Sequence, residues 1–230
     1  MIKIENTEVV GFEAAIRGMR NPMNSWKKSD SVKCYTNANC PEICKNNMSG
    51  ICIGDNDLSL MKRLVKAGTD HRKFLRMITV YLDITAPLYW WKEFDTYKVG
   101  TVANSCSTMH KIADKEFTLE DFSHEHLEDA FTDKLGTLCD AKSLIVLQTL
   151  INCLNYMRKR YLYTEDKKYW WQMIQLLPSS YNQRRTVMLN YEVLANIYKS
   201  RSTHKLDEWR TFCGWIENLP YSELIKGDKK

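Results

Sequence analysis

A strand-like run that passes directly into a helix constrains this fold more than any other feature of the sequence. Residues 77–84 read Met-Ile-Thr-Val-Tyr-Leu-Asp-Ile, and this richness in β-branched and aromatic side chains predicts a strand. Ala86-Pro87 follows at once, and proline is favoured in the first turn of a helix. We therefore predict a helix from this point through Phe94, in a chain that combines both element types.

Helical periodicity dominates the chain after Thr118. The predicted helices span 118–135, 141–163, 165–176, 184–200 and 205–217. Residues 143–163 are apolar over a wide face, which indicates a central core helix. Together with the strand, these helices predict an α+β fold class.

The N-terminal part of the chain is more mixed. The predictions here are a strand-like start at 2–4 and 9–10, a helix near 12–18, a turn at 21–25, a long polar loop at 28–56 and a helix at 57–68. The small residues of 99–106 predict another loop, one that something approaches closely. We find no internal repeat and no low-complexity linker, so we expect a single domain over residues 1–230.

Composition limits the classes of protein that this chain can be. Apolar residues make up 44% and charged residues 27% of its 230 residues, which is typical of globular proteins. No apolar run approaches the ~18 residues of a membrane helix, and Met1-Ile2-Lys3 opens no signal peptide. We expect a cytoplasmic protein without a membrane partner. The net charge of +5 is mostly spread along the chain, whereas nucleic-acid binders usually concentrate their charge, and a modest basic excess also suits a phosphate-bearing small substrate. Charge alone does not decide between these two partners.

Four of the eight cysteines, Cys34, Cys40, Cys44 and Cys52, fall within one short segment. Such crowding raises the possibility of zinc, but Cys40 and Cys44 form a CxxxC and no CxxC pair exists. The alternative is an irregular loop with free thiols, and we predict no metal site. His124 and His126 are assigned to the surface.

No standard catalytic signature is present, neither a Walker loop nor GxGxxG, HExxH or GxSxG. Cys106 and His110 are four residues apart and would share a face if this stretch were helical. They form either a thiol–imidazole pair or a buried small thiol beside a surface histidine. Spacing alone leaves both interpretations open.

Two stretches carry a more specific pattern. The first contains, in order, Gly68-Thr-Asp-His71, the strand, Ala86-Pro87, Thr96-Tyr97-Lys98 and a small-residue segment ending at Met109. The second contains Leu177-Pro178, then Asn190, Leu194, Asn196, Arg201 and His204. Together they resemble the flavin-dependent thymidylate synthases, which have a Gly-His opening, an Ala-Pro helix start, an Arg-His-Arg motif and, after a Leu-Pro, an Asn-x-Arg-x-Leu-x-Asn helix.

The resemblance implies a fold and an activity. The fold is a small antiparallel sheet packed with a helical layer, like that of the thymidylate synthase-complementing proteins. Family members are homotetramers that bind FAD between subunits and reduce it with NADPH. They transfer a one-carbon unit from methylenetetrahydrofolate to the pyrimidine nucleotide dUMP, and the reduced flavin supplies the hydride.

The chain departs from the family at positions that contact the ligands. Thr96-Tyr97-Lys98 stands where the family has Arg-His-Arg, and only Lys98 retains a cation. The other replacements are Glu93 for glutamine, Asn104 for an acidic residue, Cys106 for serine, Thr108 for arginine, Glu192 for arginine, and Ile174 for a basic residue. The scaffold is retained while the nucleotide site is rewritten.

Carried over residue by residue, the resemblance implies three sets of site residues. The predicted cofactor-binding residues are His71, Thr96, Lys98, Thr101, Asn190 and Asn196. The predicted substrate-binding residues are Glu93, Asn104, Thr108 and Arg201. The predicted catalytic residues are Cys106 and Tyr97.

Several of these residues also have a structural interpretation. His71 could cap the strand, Tyr97 could pack in the core, and Thr101 and Asn104 could satisfy loop backbone. Arg201 could complement the dipole at a helix C-terminus. Asn190 and Asn196, spaced along one predicted helix, are expected to contact a ligand or a neighbouring subunit.

Three functions follow from the sequence. The first is a divergent flavin-dependent enzyme that alkylates or reduces a pyrimidine deoxynucleotide, with the hypothesis that Cys106 attacks C6 of the ring as a thiolate. The second is a non-catalytic nucleotide-binding scaffold. The third is a flavin-dependent modifier of nucleic-acid bases.

Overall fold

A computed structural model of the chain describes residues 2–34, 50–128, 131–132, 138–139 and 142–227. It divides into two compact units. The helical unit comprises Met1–Lys3, Thr85–Asp95 and Ser105–Arg185, and the sheet unit comprises Ile4–Ile84, Thr96–Asn104 and Thr186–Lys230. No helix in these described ranges is long and apolar enough to cross a membrane.

Four strands form the main sheet, in the order β1 (Lys3–Val10), β4 (Thr79–Pro87), β8 (Asn182–Asn190) and β5 (Val102–Ser105). Most residues of each strand belong to the sheet unit. Two small antiparallel pairs are separate from it. These are β2 (Val32–Lys33) with β3 (Ile51–Cys52) and β6 (Phe131–Thr132) with β7 (Leu138–Cys139).

The side chains of β4 alternate between a buried and an exposed face, as expected for a strand. Val80, Leu82 and Ile84 are at most 1% exposed, whereas Tyr81 on the opposite face is exposed. On that polar face, the Asp83 carboxylate accepts hydrogen bonds from Asn6 Nδ2 at 2.7 Å and Thr186 Oγ1 at 2.5 Å. This carboxylate therefore links β1, β4 and β8. The strand prediction for 77–84 is confirmed, with the observed strand beginning at Thr79.

Helices of the sheet unit enclose its core. They are α1 (Phe12–Arg20), α2 (Asp55–Ala67), α7 (Tyr191–Arg201), α8 (Asp207–Glu217) and α9 (Glu223–Lys226). Tyr191, Leu194, Trp209 and Phe212 are fully buried among them. The Tyr191 hydroxyl donates to the Pro220 carbonyl at 2.5 Å, which satisfies the one polar atom of that buried ring.

A glycine permits α1 to approach the chain before β4. Gly11 has φ +97°, and a Cβ at this position would lie 2.1 Å from the Met77 carbonyl oxygen. Both the left-handed backbone and the close contact exclude a side chain here.

The helical unit is built around α5 (Ser143–Thr164) and α6 (Lys167–Leu176), with α3 (Leu88–Phe94) and the short α4 (Thr108–Lys111). Glu165, with φ +56°, ends α5, and the Asp166 side chain caps α6. The core cluster includes Ile112, Phe117, Phe122, Leu147, Ile151, Leu154 and Met173. The predicted helix is confirmed, and Leu147, Ile151 and Leu154 of α5 belong to this cluster. Its predicted central position is wrong, because Ile145, Val146 and Leu162 are more than half exposed.

Several predicted elements differ from the structure. Residues 184–200 are not one helix, because β8 continues to Asn190 and only then does α7 begin. Val187 and Leu189 are buried in alternation, a strand pattern that the neighbouring helical sequence obscured. The loop predicted at 99–106 contains β5, whose side chains are all exposed and so give no hydrophobic alternation.

The helix predicted at 118–135 is also wrong over its described part. Thr118 and Asp121 form a capping box, but only a 3-10 turn, Leu119–Asp121, follows it. Phe122 is extended and forms an isolated bridge with Tyr181. In the 28–56 loop, the interpretation as free thiols is wrong for Cys34, which is disulfide-bonded. Cys52 retains its thiol, and its Sγ lies 3.0 Å from that of Cys34. The remaining loop cysteines, Cys40 and Cys44, lie outside the described residues.

Candidate functional site

The segment between α3 and β5, which replaces the Arg-His-Arg motif, forms a tight turn. A 3-10 turn, Asp95–Tyr97, is followed by a hydrogen bond from the Thr101 N–H to the Lys98 carbonyl at 3.1 Å. Gly100 has φ +81°, and a Cβ there would lie 3.1 Å from Asn190 Nδ2 and 3.2 Å from Val193 Cγ2. Glycine therefore brings this turn against the start of α7.

Tyr97 and Arg201 meet in the sheet unit although they are far apart in sequence. Arg201 Nε donates to the Tyr97 hydroxyl at 3.0 Å. The guanidinium also lies 4.9 Å from the ring of Trp209, within the range of a cation–π contact. His204 packs at the edge of the same indole, with ring centroids 6.3 Å apart. We call Tyr97, Arg201, His204 and Trp209 the arginine–aromatic cluster.

Asn190 is the N-cap of α7. Its Oδ1 accepts the Val193 N–H at 3.0 Å, so half of the side-chain amide has a structural role that the helix prediction did not anticipate. The Nδ2 end faces the Gly100 turn. Thr101 follows Gly100 in this turn, and its Oγ1 is buried without a hydrogen-bond partner among the residues that the structure describes. A buried hydroxyl without a partner is costly, which favours a ligand or water at this point.

Glu192, which stands in place of an arginine of the family motif, pairs with Arg72. Arg72 Nη2 and Glu192 Oε1 are 2.9 Å apart, and their side chains are 19% and 9% exposed. Arg72 Nε and Glu192 Oε2 are both buried without a partner in the described part of the chain. The carboxylate that the sequence placed near the nucleotide is thus neutralised within the sheet unit itself.

The other predicted residues of the sheet unit are more peripheral. His71, Thr96, Lys98, Asn104 and Asn196 are all exposed. His71 borders a cleft of about 1000 Å³ together with Arg20 and Lys73, and does not cap β4, which begins at Thr79. Asn196 borders a different cleft.

Glu93, Cys106 and Thr108 belong to the helical unit. Glu93 is half-buried on α3. Cys106 has a free, exposed thiol. Its backbone N–H donates to the Arg184 carbonyl at 3.0 Å, and its carbonyl accepts from the side-chain Nε2 of Gln183 at 3.1 Å. Gln183 Nε2 also reaches Thr108 Oγ1 at 3.1 Å.

A further arginine supports this glutamine. Arg185 Nε donates to Gln183 Oε1 at 3.0 Å, its Nη1 lies 3.3 Å from Asp95, and its guanidinium stacks 4.2 Å above Trp91. The chain Asp95–Arg185–Gln183 therefore orients the loop that carries Cys106 and Thr108.

The condition for a helical pairing of Cys106 with His110 is not met. The helix α4 starts at Thr108, so Cys106 precedes it, and the Ser107 side chain caps the helix by accepting the His110 N–H. The buried-thiol alternative is also wrong, because Cys106 is exposed. By contrast, burial raises the pKa of the Cys213 thiol to about 11, which makes Cys213 a structural residue. No cluster of three or more metal-binding side chains occurs among the described residues.

Sequence reasoning missed four residues of these networks. They are Arg72, Trp209, Gln183 and Arg185. Arg72, Gln183 and Arg185 have partners that are distant in sequence, whereas Trp209 meets Arg201 eight residues earlier, across the turn between α7 and α8. No motif spacing marks any of the four. Gly100 carried the one local signal, a glycine at the end of a polar turn.

Comparison with known proteins supports the fold. No family model and no curated protein matches the sequence. The flavin-dependent thymidylate synthase ThyX from Helicobacter pylori, solved with FAD and dUMP, aligns over 98% of both chains with a TM-score of 0.63 and 14% identity. The UMP/dUMP methylase PolB from Streptomyces cacaoi, bound with 5-Br dUMP, aligns over 98% of this chain and 94% of its own, with a TM-score of 0.57 and 10% identity.

These similarities establish what the chain folds into. At such identities they show the fold alone. They confirm the α+β prediction and, at the level of fold, the resemblance read from the two sequence stretches.

Proposed function

From a chain that has the fold of the flavin-dependent thymidylate synthases, we propose an enzyme that uses FAD to modify a pyrimidine deoxynucleotide such as dUMP. The modification is a one-carbon transfer to the ring or its reduction. The finer attributes of the family belong to the same proposal. They are reduction by NADPH, methylenetetrahydrofolate as donor, a homotetramer, a single domain and a cytoplasmic location.

The hydrogen bond from Arg201 to Tyr97 carries the proposal. The sequence has lost two arginines of the family motif at positions 96 and 98, which removes the guanidinium groups expected beside the flavin. Arg201 supplies a guanidinium to the middle of this same segment, 3.0 Å from the Tyr97 hydroxyl. A planar cation beside aromatic rings is suited to a heterocycle carbonyl or a phosphate.

The residues around Tyr97 fit a flavin by their chemistry. The ring of Tyr97 and the guanidinium of Arg201 would contact it, and the buried Thr101 hydroxyl would gain the partner that it lacks in the described chain. Asn190 would contribute its Nδ2, because its Oδ1 is occupied by the cap. When bound, reduced flavin supplies a hydride for the reaction.

Cys106 is our candidate for a covalent role. Its exposed thiol lies on a loop oriented by Gln183, and a thiolate there would add to C6 of the pyrimidine. Thr108, on the same loop, would then donate to the nucleotide, with Asn104 and Glu93 as further polar contacts. Family members do not need such a nucleophile, so this part of the proposal stands separately.

The visible absorption spectrum of the purified protein, with flavin extraction beside it, tests the proposal. We expect an oxidised-flavin spectrum near one equivalent per chain, which dUMP perturbs. Arg201→Lys keeps the charge but loses the fork, and should reduce bound flavin or weaken the dUMP response about tenfold. The matched control, Arg210→Lys on α8, should leave both unchanged. A colourless protein that takes up no added FAD would refute the redox function.

The role of Cys106 needs its own variant. Cys106→Ala should abolish turnover while flavin binding is retained, and Cys153→Ala, a half-buried free thiol on α5, serves as the control. Full turnover by Cys106→Ala would exclude the nucleophile and leave the flavin proposal intact.

One observation favours the alternative of a non-catalytic nucleotide-binding scaffold. Glu192 occupies an arginine position of the family motif and is held by Arg72 at 2.9 Å. The cation that the family motif has at this position is therefore absent, which favours a chain that has lost catalysis. A protein that binds dUMP without flavin would support the scaffold, whereas no feature of the described residues favours a nucleic-acid base modifier.

A further inference from the structure

Two sulfur atoms meet on one face of the small ribbon that β2 and β3 form. The antiparallel register pairs Val32 with Cys52. Cys34 directly follows β2, and its N–H donates to the Gly50 carbonyl at 3.1 Å, which continues the same pairing. Paired residues share a face of a ribbon, and so do residues two apart along one strand. Cys34 and Cys52 are therefore diagonal neighbours on a common face.

The two cysteines differ in chemical state. Cys34 is disulfide-bonded, whereas Cys52 retains its thiol. Their Sγ atoms are 3.0 Å apart. A disulfide sulfur carries no proton, so the Cys52 thiol is the donor in this contact. Reacting atoms at about 3–3.5 Å are close enough for a near-attack arrangement, and a thiol beside a disulfide sulfur is a nucleophile beside its electrophile.

The backbone on both sides of this contact is anchored to the core of the sheet unit. Beside Cys52, the Tyr221 hydroxyl accepts the Ile53 N–H at 2.9 Å and donates to the carbonyl of the buried Ile51 at 3.4 Å. Before Cys34, the N–H and Oγ of Ser31 donate to the buried Asp57 carboxylate at 3.1 Å and 2.6 Å. The fold itself thus brings the two sulfur atoms together, and little further ordering is needed for them to react.

We propose that Cys34 and Cys52 form a thiol–disulfide exchange site, at which the Cys52 thiolate displaces the present partner of Cys34. A bond forms between the two Sγ atoms while the existing disulfide breaks, and the electron pair of the broken bond leaves on the partner's sulfur. That sulfur takes up a proton in place of the one that Cys52 lost. The number of disulfides stays the same, so the step consumes no oxidant. The present partner is not among the free cysteines of the described chain and enters only as the leaving group.

The exchange changes how the ribbon is tied. Its product joins the β2 and β3 segments covalently, across a face where backbone hydrogen bonds already pair them. The choice between the two disulfides makes this a redox-sensitive device, because a reductant of the surroundings opens either one. None of its residues belongs to the arginine–aromatic cluster or to the Cys106 loop, so the device is independent of the proposed function.

Disulfide mapping of the native protein tests the proposal. Trypsin cleaves after Lys33 and Lys45, which places Cys34 in the peptide 34–45 and Cys52 in the peptide 46–62. The protein is incubated without reductant at about pH 6 and at about pH 9, on either side of the ordinary thiol pKa of about 8.5. It is then quenched with acid, alkylated with N-ethylmaleimide and digested. We expect the two peptides to be linked, with fragmentation spectra assigning the bond to Cys34, and to form this link faster at the higher pH.

Two variants identify the attacking thiol. Cys52→Ser should lose the linked peptides and keep Cys34 in a disulfide with another cysteine, whereas the control Cys153→Ser should give the same map as the unmodified protein. Mapping of the unmodified protein decides the case even if Cys52→Ser does not fold. Three results would overturn the proposal: no link between Cys34 and Cys52 at either pH, a reduced Cys34 in folded Cys52→Ser, or thiols that hold stoichiometric zinc in place of any disulfide.

Discussion

At the residue scale, Asp57 is a buried carboxylate that several donors surround. It is fully buried and accepts a hydrogen bond from Arg20 Nε at 2.6 Å. Its other oxygen accepts from Ser29 Oγ at 2.7 Å and from both the N–H and Oγ of Ser31. Burial alone would raise the pKa of this carboxyl, but the donors of Ser31, Ser29 and Arg20 outweigh burial and hold the pKa below its ordinary value.

This lowered pKa sets the direction of a pH dependence. Because the carboxyl binds its proton more weakly in the folded state, its contribution to the free energy of unfolding is complete above its ordinary pKa of 3.8. The contribution is lost as the pH falls through the folded value. Asp57→Ala, which leaves Arg20 buried without its partner, should lower the free energy of unfolding by about 3–5 kcal/mol at pH 7.

Urea unfolding at pH 7 and below pH 4 measures this. The unmodified protein should lose stability on acidification more steeply than the variant. The control is Asp207→Ala, which removes an exposed partner of Arg210 and should change stability by less than about 1 kcal/mol. Equal acid sensitivity of the unmodified protein and Asp57→Ala would contradict the assignment.

At the element scale, the start of α7 serves stability and the candidate site through one side chain. Asn190 Oδ1 caps the helix, while Nδ2 faces the Gly100 turn. The two roles separate by substitution. Asn190→Asp keeps the cap and should leave the free energy of unfolding nearly unchanged, but it should weaken flavin binding because the donor is lost.

Asn190→Ala should lose both the helix cap and the flavin contact. The missing cap should lower the free energy of unfolding by about 1 kcal/mol. Denaturant midpoints and flavin content of the two variants, measured together, decide the case. If Asn190→Asp binds flavin normally, Asn190 is a cap and nothing more.

At the scale of the whole molecule, the chain passes between its two units repeatedly, at residues 3–4, 84–85, 95–96, 104–105 and 185–186. Strands β4, β5 and β8 each begin in one unit and end in the other. Because strands are shared in this way, we expect the two units to unfold in one cooperative step. Such unfolding is what the prediction of a single domain requires.

Leu154→Ala tests this cooperativity. Leu154 is 0% exposed in the core of the helical unit, so its truncation should cost about 2–5 kcal/mol. Native-state hydrogen exchange should then show α7 of the sheet unit losing as much protection as α5. The control, Leu162→Ala on the same helix, removes an exposed side chain and should stay within about 0.5 kcal/mol. Loss of protection confined to α5 would instead identify two independent domains.

Local chemistry alone determined several features of this protein. The β-rich run before Ala86-Pro87 specified β4 and α3, because period-two burial and a proline at the junction act over a few residues. The wide apolar face of α5 specified a core helix. The order of the two motif stretches was sufficient for the fold, which the comparison with solved structures confirms.

Only the tertiary structure decided the rest. β8 and β5 are strands because they pair in the sheet. The sequence of β8 instead predicted a helix, and the small polar residues of β5 predicted a loop. The Arg201–Tyr97, Arg72–Glu192 and Arg185–Asp95 contacts follow from packing of distant segments. The chemical identity of a side chain determines what it can bind. Its actual partner depends on which distant residues the fold brings next to it, and the spacing of residues along the sequence does not predict that.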